Sequence, residues 1–385
     1  MSRAPIIGLG LTPMSLVAGD PPEVLAADAV RRALADAGIE RDEVDGLLVN
    51  SSQGVRPERV GVSLARHAGF GPLRLLEHVE IKGATAAAMV QRAVLAVDAG
   101  LARTVVCVFA DAPIASSGTS GSTFAHSGGS AGLRGLERAS GMLGSVPSFA
   151  LLASRYLAVS GLDERDLCAV ARSARAWAEG NPEAMVRTPL SEEAYFSSRM
   201  ISTPLRLLDC ARPVNGAGAI VVGARGSDHD PPAVRVAGMA QWHPMRRRVA
   251  PGESWFGGGG CRAVDEALAQ ARVRRSDIDV VELYDPFSVV TLLLLEEYRM
   301  CAPGSVSEMV RAGACGPGGA LPTNTGGGQL SGFYLQGMTP LAEAIIQLRG
   351  AGGDRQVPAA TTALVAGIGG RVDHHACLIL ERADA

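Results

Sequence analysis

The chain reads as an α/β protein made of two similar halves. Three observations predict this. Apolar runs of strand length alternate with segments of helical period. One helix-and-strand unit occurs twice. A glycine-rich stretch leads directly into a late helix. The duplicated unit is AVRRALADAGIERDEVD at residues 29–45 and AVDEALAQARVRRSDID at residues 263–279. The offset is a constant 234 residues and eight of seventeen positions are identical. A repeat this long is not a solenoid, so it predicts two α/β halves packed on each other.

Residues 4–10 are a short apolar run ending in Gly8 and Gly10, read as a strand. Pro21 and Pro22 open a helix whose apolar positions Val24, Leu25, Ala29, Val30, Ala33 and Leu34 follow the 3.6 period, and Gly38 ends it. Val44 to Val49 reads as a strand, Arg59 to His67 as a helix and Val79 to Ile81 as a strand. Ala84 to Ala99 is a helix capped by Gly100, and Thr104 to Phe109 is a buried strand. This alternation predicts βαβ units and a mostly parallel sheet. Residues 112–200 break the rhythm: Ser and Gly dominate 116–132, and two helices follow at Pro147 to Ser160 and Glu164 to Glu179. They read as an insertion over the sheet forming one wall of a site. Ile201 to Ala224 returns through a loop to a buried strand. The predicted division is 1–232 and 233–385, with the insertion inside the first half.

Composition excludes several classes. With 385 residues, 47% hydrophobic, 19% charged and a net charge of -3, the chain has the balance of a globular protein with a large core. That balance predicts neither a nucleic-acid nor a membrane partner. No apolar run reaches about 18 residues, so no spanning helix is expected. The seven cysteines include no C-x-x-C pair, which predicts free thiols, no metal site and a reducing, cytoplasmic location.

Three stretches carry candidate chemistry. ELYDPFS, Glu282 to Ser288, holds Tyr284 and Asp285. The repeat offset puts Tyr284 opposite Asn50, each just past a strand, and ligand sites in parallel α/β sheets lie beyond such carboxyl ends. PTNTGGGQLSGFYLQGMTP, Pro322 to Pro340, gathers Gly326, Gly327, Gly328, Gly332 and Gly337 around Tyr334 and runs into a helix at Leu341 to Leu348. Such a turn aims backbone N–H groups at an oxyanion or a phosphate. GIGG, Gly367 to Gly370, ends a late strand at Thr361 to Ala366 and is followed by His374 and His375.

A duplicated α/β chain with these motifs resembles the thiolase superfamily, in particular its sterol-carrier-protein-type branch, over essentially its whole length. The resemblance implies the thiolase fold, a five-layered α-β-α-β-α arrangement of two duplicated halves with an inserted loop domain. The departures decide the chemistry. Where that family has its nucleophilic cysteine, GATAAAMVQRAVLAVDAG places Gly83; its G-H-P histidine becomes Tyr334; its N-E-A-F or H-D-C-F motif becomes YDPF with Tyr284; its second cysteine becomes Gly367. An acyl-enzyme needs a thiolate, which glycine cannot supply. The pattern is therefore similar to the thiolase-like retro-aldolases of actinobacterial steroid side-chain degradation.

That resemblance implies retro-aldol cleavage of a 17-hydroxy steroid side chain carried as a coenzyme A thioester, to a 17-keto steroid and a short acyl-CoA such as propionyl-CoA. Coenzyme A would be part of the substrate, and no intrinsic cofactor is implied. A base takes the β-hydroxyl proton, the Cα–Cβ bond breaks, and the enolate is held by oxyanion donors and protonated by an acid. Tyr284 and Tyr334 are the candidate base and acid, in an order left open. Gly326, Gly327, Gly328, Gly337 and Gly369 are the candidate oxyanion and substrate loop, and Asp285, Asn324, His374 and His375 the candidate supporting residues. Gly83 is expected to free space over the reacting carbons for a bulky substrate. The family also implies a homodimer and a small OB-fold partner, together a heterotetramer.

The alternatives are a catalytically inactive acyl-CoA-binding or scaffold subunit, and a carbon–carbon lyase or condensing enzyme with a non-steroid substrate. His67, His78, His126, His229 and His243 match no motif. Arg246, Arg247 and Arg248 read as a solvated charge run that could meet coenzyme A phosphates.

Overall fold

Arg41 and Arg275, identical in the two copies of the repeat, do the same job. Arg41 Nη1 donates to Ala68 O at 3.4 Å, and Arg275 Nε donates to Tyr298 O at 2.8 Å. Each guanidinium caps the last carbonyls of the helix that follows it, where the chain leaves acceptors unpaired and the dipole is negative. Asp45 and Asp279 are also equivalent. Asp45 accepts from Arg103 N and Thr104 N at 2.8 and 3.0 Å; Asp279 accepts from Thr361 N and Thr362 N at 2.8 and 3.0 Å. Both carboxylates fasten the start of a neighbouring strand.

A computed structural model describes residues 4–50, 57–114, 132–223, 232–245 and 259–383. The first half runs β1 Ile6–Leu11, α1 Pro22–Ala37, β2 Gly46–Asn50, α2 Pro57–Ala68, β3 Leu75–Val79, α3 Thr85–Asp98 and β4 Thr104–Asp111. The insertion holds α4 Gly132–Ala139, α5 Val146–Ser160, α6 Glu164–Glu179, α7 Glu192–Ser197 and the hairpin β5 Met200–Ser202 with β6 Leu205–Arg206. β7 Gly216–Gly223 completes that half. The second half runs β8 Val234–Trp242, α8 Gly259–Ala271, β9 Val280–Leu283, α9 Ser288–Glu297, α10 Val306–Arg311, α11 Met338–Leu348, β10 Thr362–Gly369 and β11 His374–Arg382.

The nine long strands follow the order β3-β2-β4-β7-β1-β8-β11-β10-β9. Within this sheet the strands of the two halves meet at one bridge, Ile6 with Val234. On either side of it the order mirrors: β1, β7, β4, β2 against β8, β11, β10, β9. Gly8 and Gly238 extend the duplication to β1 and β8. A Cβ on Gly8 would lie 2.3 Å from Ala33 O, and one on Gly238 would lie 1.9 Å from Ala267 O. Ala33 and Ala267 are repeat partners, so the same glycine lets each central strand touch its covering helix.

The expected mostly parallel sheet is corrected. Among the described residues only β2 with β3, β2 with β4 and β9 with β10 pair parallel as strands. β4 with β7, β1 with β7, β8 with β11 and β10 with β11 pair antiparallel. A strand buried on both faces carries no sign of its direction. The connection decides it: β10 turns straight back into β11 through Gly370 at φ +67°, and β7 returns beside β4 after the insertion. The third strand also lies earlier than expected, at Leu75–Val79, and Ile81 belongs to the turn before α3.

Helices α3 and α11 are buried along nearly their whole length. Helix α3 touches β4 and β7 of one half and β10 and β11 of the other, and α11 touches β9, β10 and β11. With α1 outside the first-half strands and α8 outside the second-half strands, the layers are α-β-α-β-α. Helix α9, SVVTLLLLEE, is core. Among the described residues no helix is long and apolar enough to cross a membrane.

Candidate active site

Strand β9 is buried throughout and delivers Tyr284 at its carboxyl end. The Tyr284 N–H still belongs to the ladder, donating to Ala366 O at 2.9 Å. Tyr284 is 8% exposed. The loop carrying Tyr334 begins with a single π-type turn, Gly328–Gly332. Its far side is pinned by Thr339, whose hydroxyl accepts from Leu335 N at 3.0 Å and donates to Phe333 O at 2.9 Å. Tyr334 also bridges to Pro213 beyond the insertion.

These two loops bring the phenols together: Tyr284 Oη and Tyr334 Oη lie 3.4 Å apart. That is long for a hydrogen bond between hydroxyls. Burial pushes the Tyr284 phenol up to about 12, while the hydrogen bond from Tyr334 works in the other direction. Tyr334 is pushed well above its ordinary value, first by burial and then by the charge of Tyr284, with Asp111 and Glu80 adding to it. Burial thus favours the neutral form of both phenols.

Gly83 explains why Tyr284 can stand there. A Cβ on Gly83 would lie 2.4 Å from Tyr284 Cε1 and Cζ. The space released by the missing side chain is occupied by the tyrosine ring, which corrects the expectation of free room for substrate. The turn around Gly83 is itself tightly held. A Cβ on Gly337 would lie 2.4 Å from Gly83 O, one on Gly367 would lie 2.5 Å from the same atom, and one on Gly369 would lie 2.2 Å from Ile81 O. The second missing cysteine thus marks a close approach of backbones.

The glycines Gly326 to Gly328 wrap buried side chains. A Cβ on Gly326 would meet Glu343 Oε2 at 2.7 Å, and one on Gly328 would meet Asp285 Oδ2 at 2.1 Å. Gly327 and Gly328 have φ of +90° and +55°, and Gly327 N–H donates to Asn324 O at 2.9 Å. Asp285 is 1% exposed and accepts from Gln329 N at 2.9 Å. Burial pushes its carboxyl up to about 7, against the pull of Gln329 N–H and the Asn324 side chain. Asn324 Oδ1 accepts from Leu283 N at 2.7 Å, tying the loop to β9.

The two histidines part. His375 is fully buried, its Nδ1 3.1 Å from Tyr298 Oη, and burial lowers it to about 3. His374 faces the other way, its Nδ1 3.2 Å from His243 Nδ1 at an exposed strand end. Alternation along β11 sends the neighbours to opposite faces. Arg246, Arg247 and Arg248, with His126 and His229, lie outside the described residues. All seven cysteines are free thiols. Burial raises Cys168, Cys261 and Cys315 to about 11 and Cys210 to about 12, so these are not thiolates at neutral pH.

Sequence reasoning missed several residues of this region. Asn50 is buried, and its Nδ2 donates at 3.0 Å to Gln336 Oε1, two residues beyond Tyr334. The repeat offset pointed at Asn50, but not at its partner. Arg175 of α6 donates to Ser331 Oγ at 2.9 Å, and Met185 N and Val186 N donate to Gly332 O and Ser331 O at 2.9 and 3.1 Å. The insertion thereby grips the loop that carries Tyr334.

Residues 252–382 match the thiolase C-terminal domain-like family. The chain is 34% identical over 359 residues to the 17-hydroxy-3-oxo-4-pregnene-20-carboxyl-CoA lyase of Mycobacterium tuberculosis, covering 90% of this chain and 92% of that one. It is 32% identical over 364 residues to the steroid side-chain-cleaving aldolase of Thermomonospora curvata, covering 90% of each. The solved structure of the Ltp2-ChsH2(DUF35) aldolase superposes with a TM-score of 0.86 at 30% identity, over 99% of this chain and 98% of that one.

Proposed function

Because this chain belongs to the thiolase-fold family of steroid side-chain-cleaving aldolases, we propose that it is a carbon–carbon lyase that cleaves a steroid acyl-CoA by a retro-aldol reaction. The finer reading is a 17-hydroxy steroid side-chain thioester, split into a 17-keto steroid and a short acyl-CoA such as propionyl-CoA. The observation that carries it is the phenol pair, Tyr284 and Tyr334 at 3.4 Å, standing where Gly83 leaves no thiol.

Tyr284, as phenolate, takes the proton of the β-hydroxyl. The Cα–Cβ electrons pass to the thioester enolate as the ketone forms. Tyr334 gives its proton to Cα. The proton held by Tyr284 then returns to Tyr334 along their contact, and the pair is reset. The order is part of the proposal: with Tyr334 as the donor across the 3.4 Å contact, the Tyr284 anion is the one favoured. Backbone N–H groups around Gly83 and the glycine loop are the proposed enolate donors. No bound cofactor enters this scheme; coenzyme A comes with the substrate.

A homodimer carrying a small OB-fold partner is the proposed assembly; the structural neighbour whose name couples two components supports the presence of a partner. The test is incubation with a β-hydroxyacyl-CoA steroid, with and without the co-expressed partner. Ketone plus short acyl-CoA is expected. Tight acyl-CoA binding with no cleavage under any partner condition would establish the scaffold reading instead.

A further inference from the structure

Behind the tyrosine pair lies a cluster of buried polar groups that the scheme above does not use. Glu282, two residues before Tyr284, is 1% exposed, and Glu343 of α11 is 5% exposed. Thr325, from the loop that leads to Tyr334, stands between them. Its hydroxyl oxygen lies 2.7 Å from Glu282 Oε1 and 3.2 Å from Glu343 Oε1. A hydroxyl has one hydrogen and cannot donate to both carboxylates. With both ionised, one of these buried oxygen pairs would face without a proton.

Glu343 has the cation. Arg355 Nε and Nη2 reach its two oxygens at 2.9 and 3.1 Å, and Gln347 Nε2 donates to Oε1 at 3.0 Å. Among the described residues, the groups that reach the Glu282 carboxyl are the Thr325 hydroxyl and the Thr325 N–H, both at Oε1, the latter at 2.8 Å. The missing proton therefore belongs on Glu282. We propose that Glu282 is a positioning residue kept protonated in the folded protein, its proton fastening the strand that ends in Tyr284 to the loop that carries Tyr334. Glu282 donates to Thr325 Oγ1, and Thr325 donates to the Glu343 carboxylate that Arg355 neutralises.

Among the described residues, the charges acting on Glu282 are Glu343 from α11 and Asp285 beyond the end of its own strand, while Arg355, from the turn after α11, pairs with Glu343. Burial and the Glu343 charge both raise Glu282 well above the ordinary carboxyl range. The inference rests on the tyrosine pair as the reacting groups only for its effect on turnover. The protonation itself is read without turnover.

Infrared spectra of the full chain at neutral pH, with glutamate carboxyls carrying carbon-13, give that reading. A protonated-carboxyl band that shifts with labelled glutamate but not with labelled aspartate is expected, and Glu282→Gln should remove it. A wild-type spectrum without a glutamate-sensitive band overturns the inference, even if Glu282→Gln does not fold. Survival of the band in a folded Glu282→Gln protein overturns it as well. For positioning, Thr325→Val should lower kcat by about tenfold to a hundredfold with KM nearly unchanged, and Thr325→Ser should restore it. Wild-type kcat in Thr325→Val removes the positioning role. A band without any aldol cleavage by the wild type counts against the functional reading alone.

Discussion

Tyr284 and Gly83 exclude each other: a single Cβ at position 83 would sit 2.4 Å from two atoms of the tyrosine ring. The residue that abolishes a thiol nucleophile and the residue that supplies a phenol are one structural change. Gly83→Ala and Gly83→Cys should therefore act through Tyr284. Each should lower kcat about 100-fold or more, the loss of a general base, and Gly83→Cys should gain no acyl transfer. Adding Tyr284→Phe to Gly83→Ala should cost little further. Independent, multiplying losses in the double variant would show that the two positions are not coupled.

Tyr284→Phe and Tyr334→Phe should each lower kcat by about 10²–10⁴-fold with the fold retained. The double variant should lose far less than the product of the two, because the hydroxyls act as a unit. Steady-state kinetics and circular dichroism check this. Turnover in the double variant equal to wild type would end the two-tyrosine scheme.

Because the Tyr284 phenol is raised to about 12, its basic form grows as pH rises. In the alkaline range kcat/KM should climb about tenfold per pH unit until another step limits it. The climb should vanish in Tyr284→Phe. A flat wild-type profile between neutral and alkaline pH would assign the base elsewhere.

Asp285, raised to about 7 by burial, binds a proton in the folded state that the unfolded chain has released. Its stabilising contribution is complete below its unfolded value of about 4. It falls away as pH rises towards about 7, and is constant above that. Denaturant midpoints across this window should decline less in Asp285→Asn than in wild type. Parallel declines would show that Asp285 does not titrate there.

The repeat aspartates are structural. Asp45→Ala and Asp279→Ala each strand two backbone N–H groups at the start of a strand. Each should cost roughly 1–3 kcal/mol of stability. Chemical denaturation measures this, and kcat in the folded variants should stay near wild type.

Much of this was legible in the chain. The shared Arg41/Arg275 and Asp45/Asp279 positions survive in both halves because each makes the same backbone contacts, so spacing alone exposed the duplication. The two tyrosines and the absent cysteines were legible because chemistry depends on residue type. The pairing Gly8 with Gly238 was not, since it falls outside the constant offset.

By itself, then, the sequence determined the two-half α/β plan, the lack of a nucleophilic thiol and the identity of the two phenols. Those are properties of residue type and period. The tertiary structure alone decided that the sheet is mixed, that the Gly83 space is filled by Tyr284, and that His374 meets His243 while His375 meets Tyr298. Strand direction is set by connections between strands already buried on both faces. Contacts such as Gly83 with Tyr284, or Thr325 between Glu282 and Glu343, join atoms far apart along the chain, and no local pattern encodes their distance.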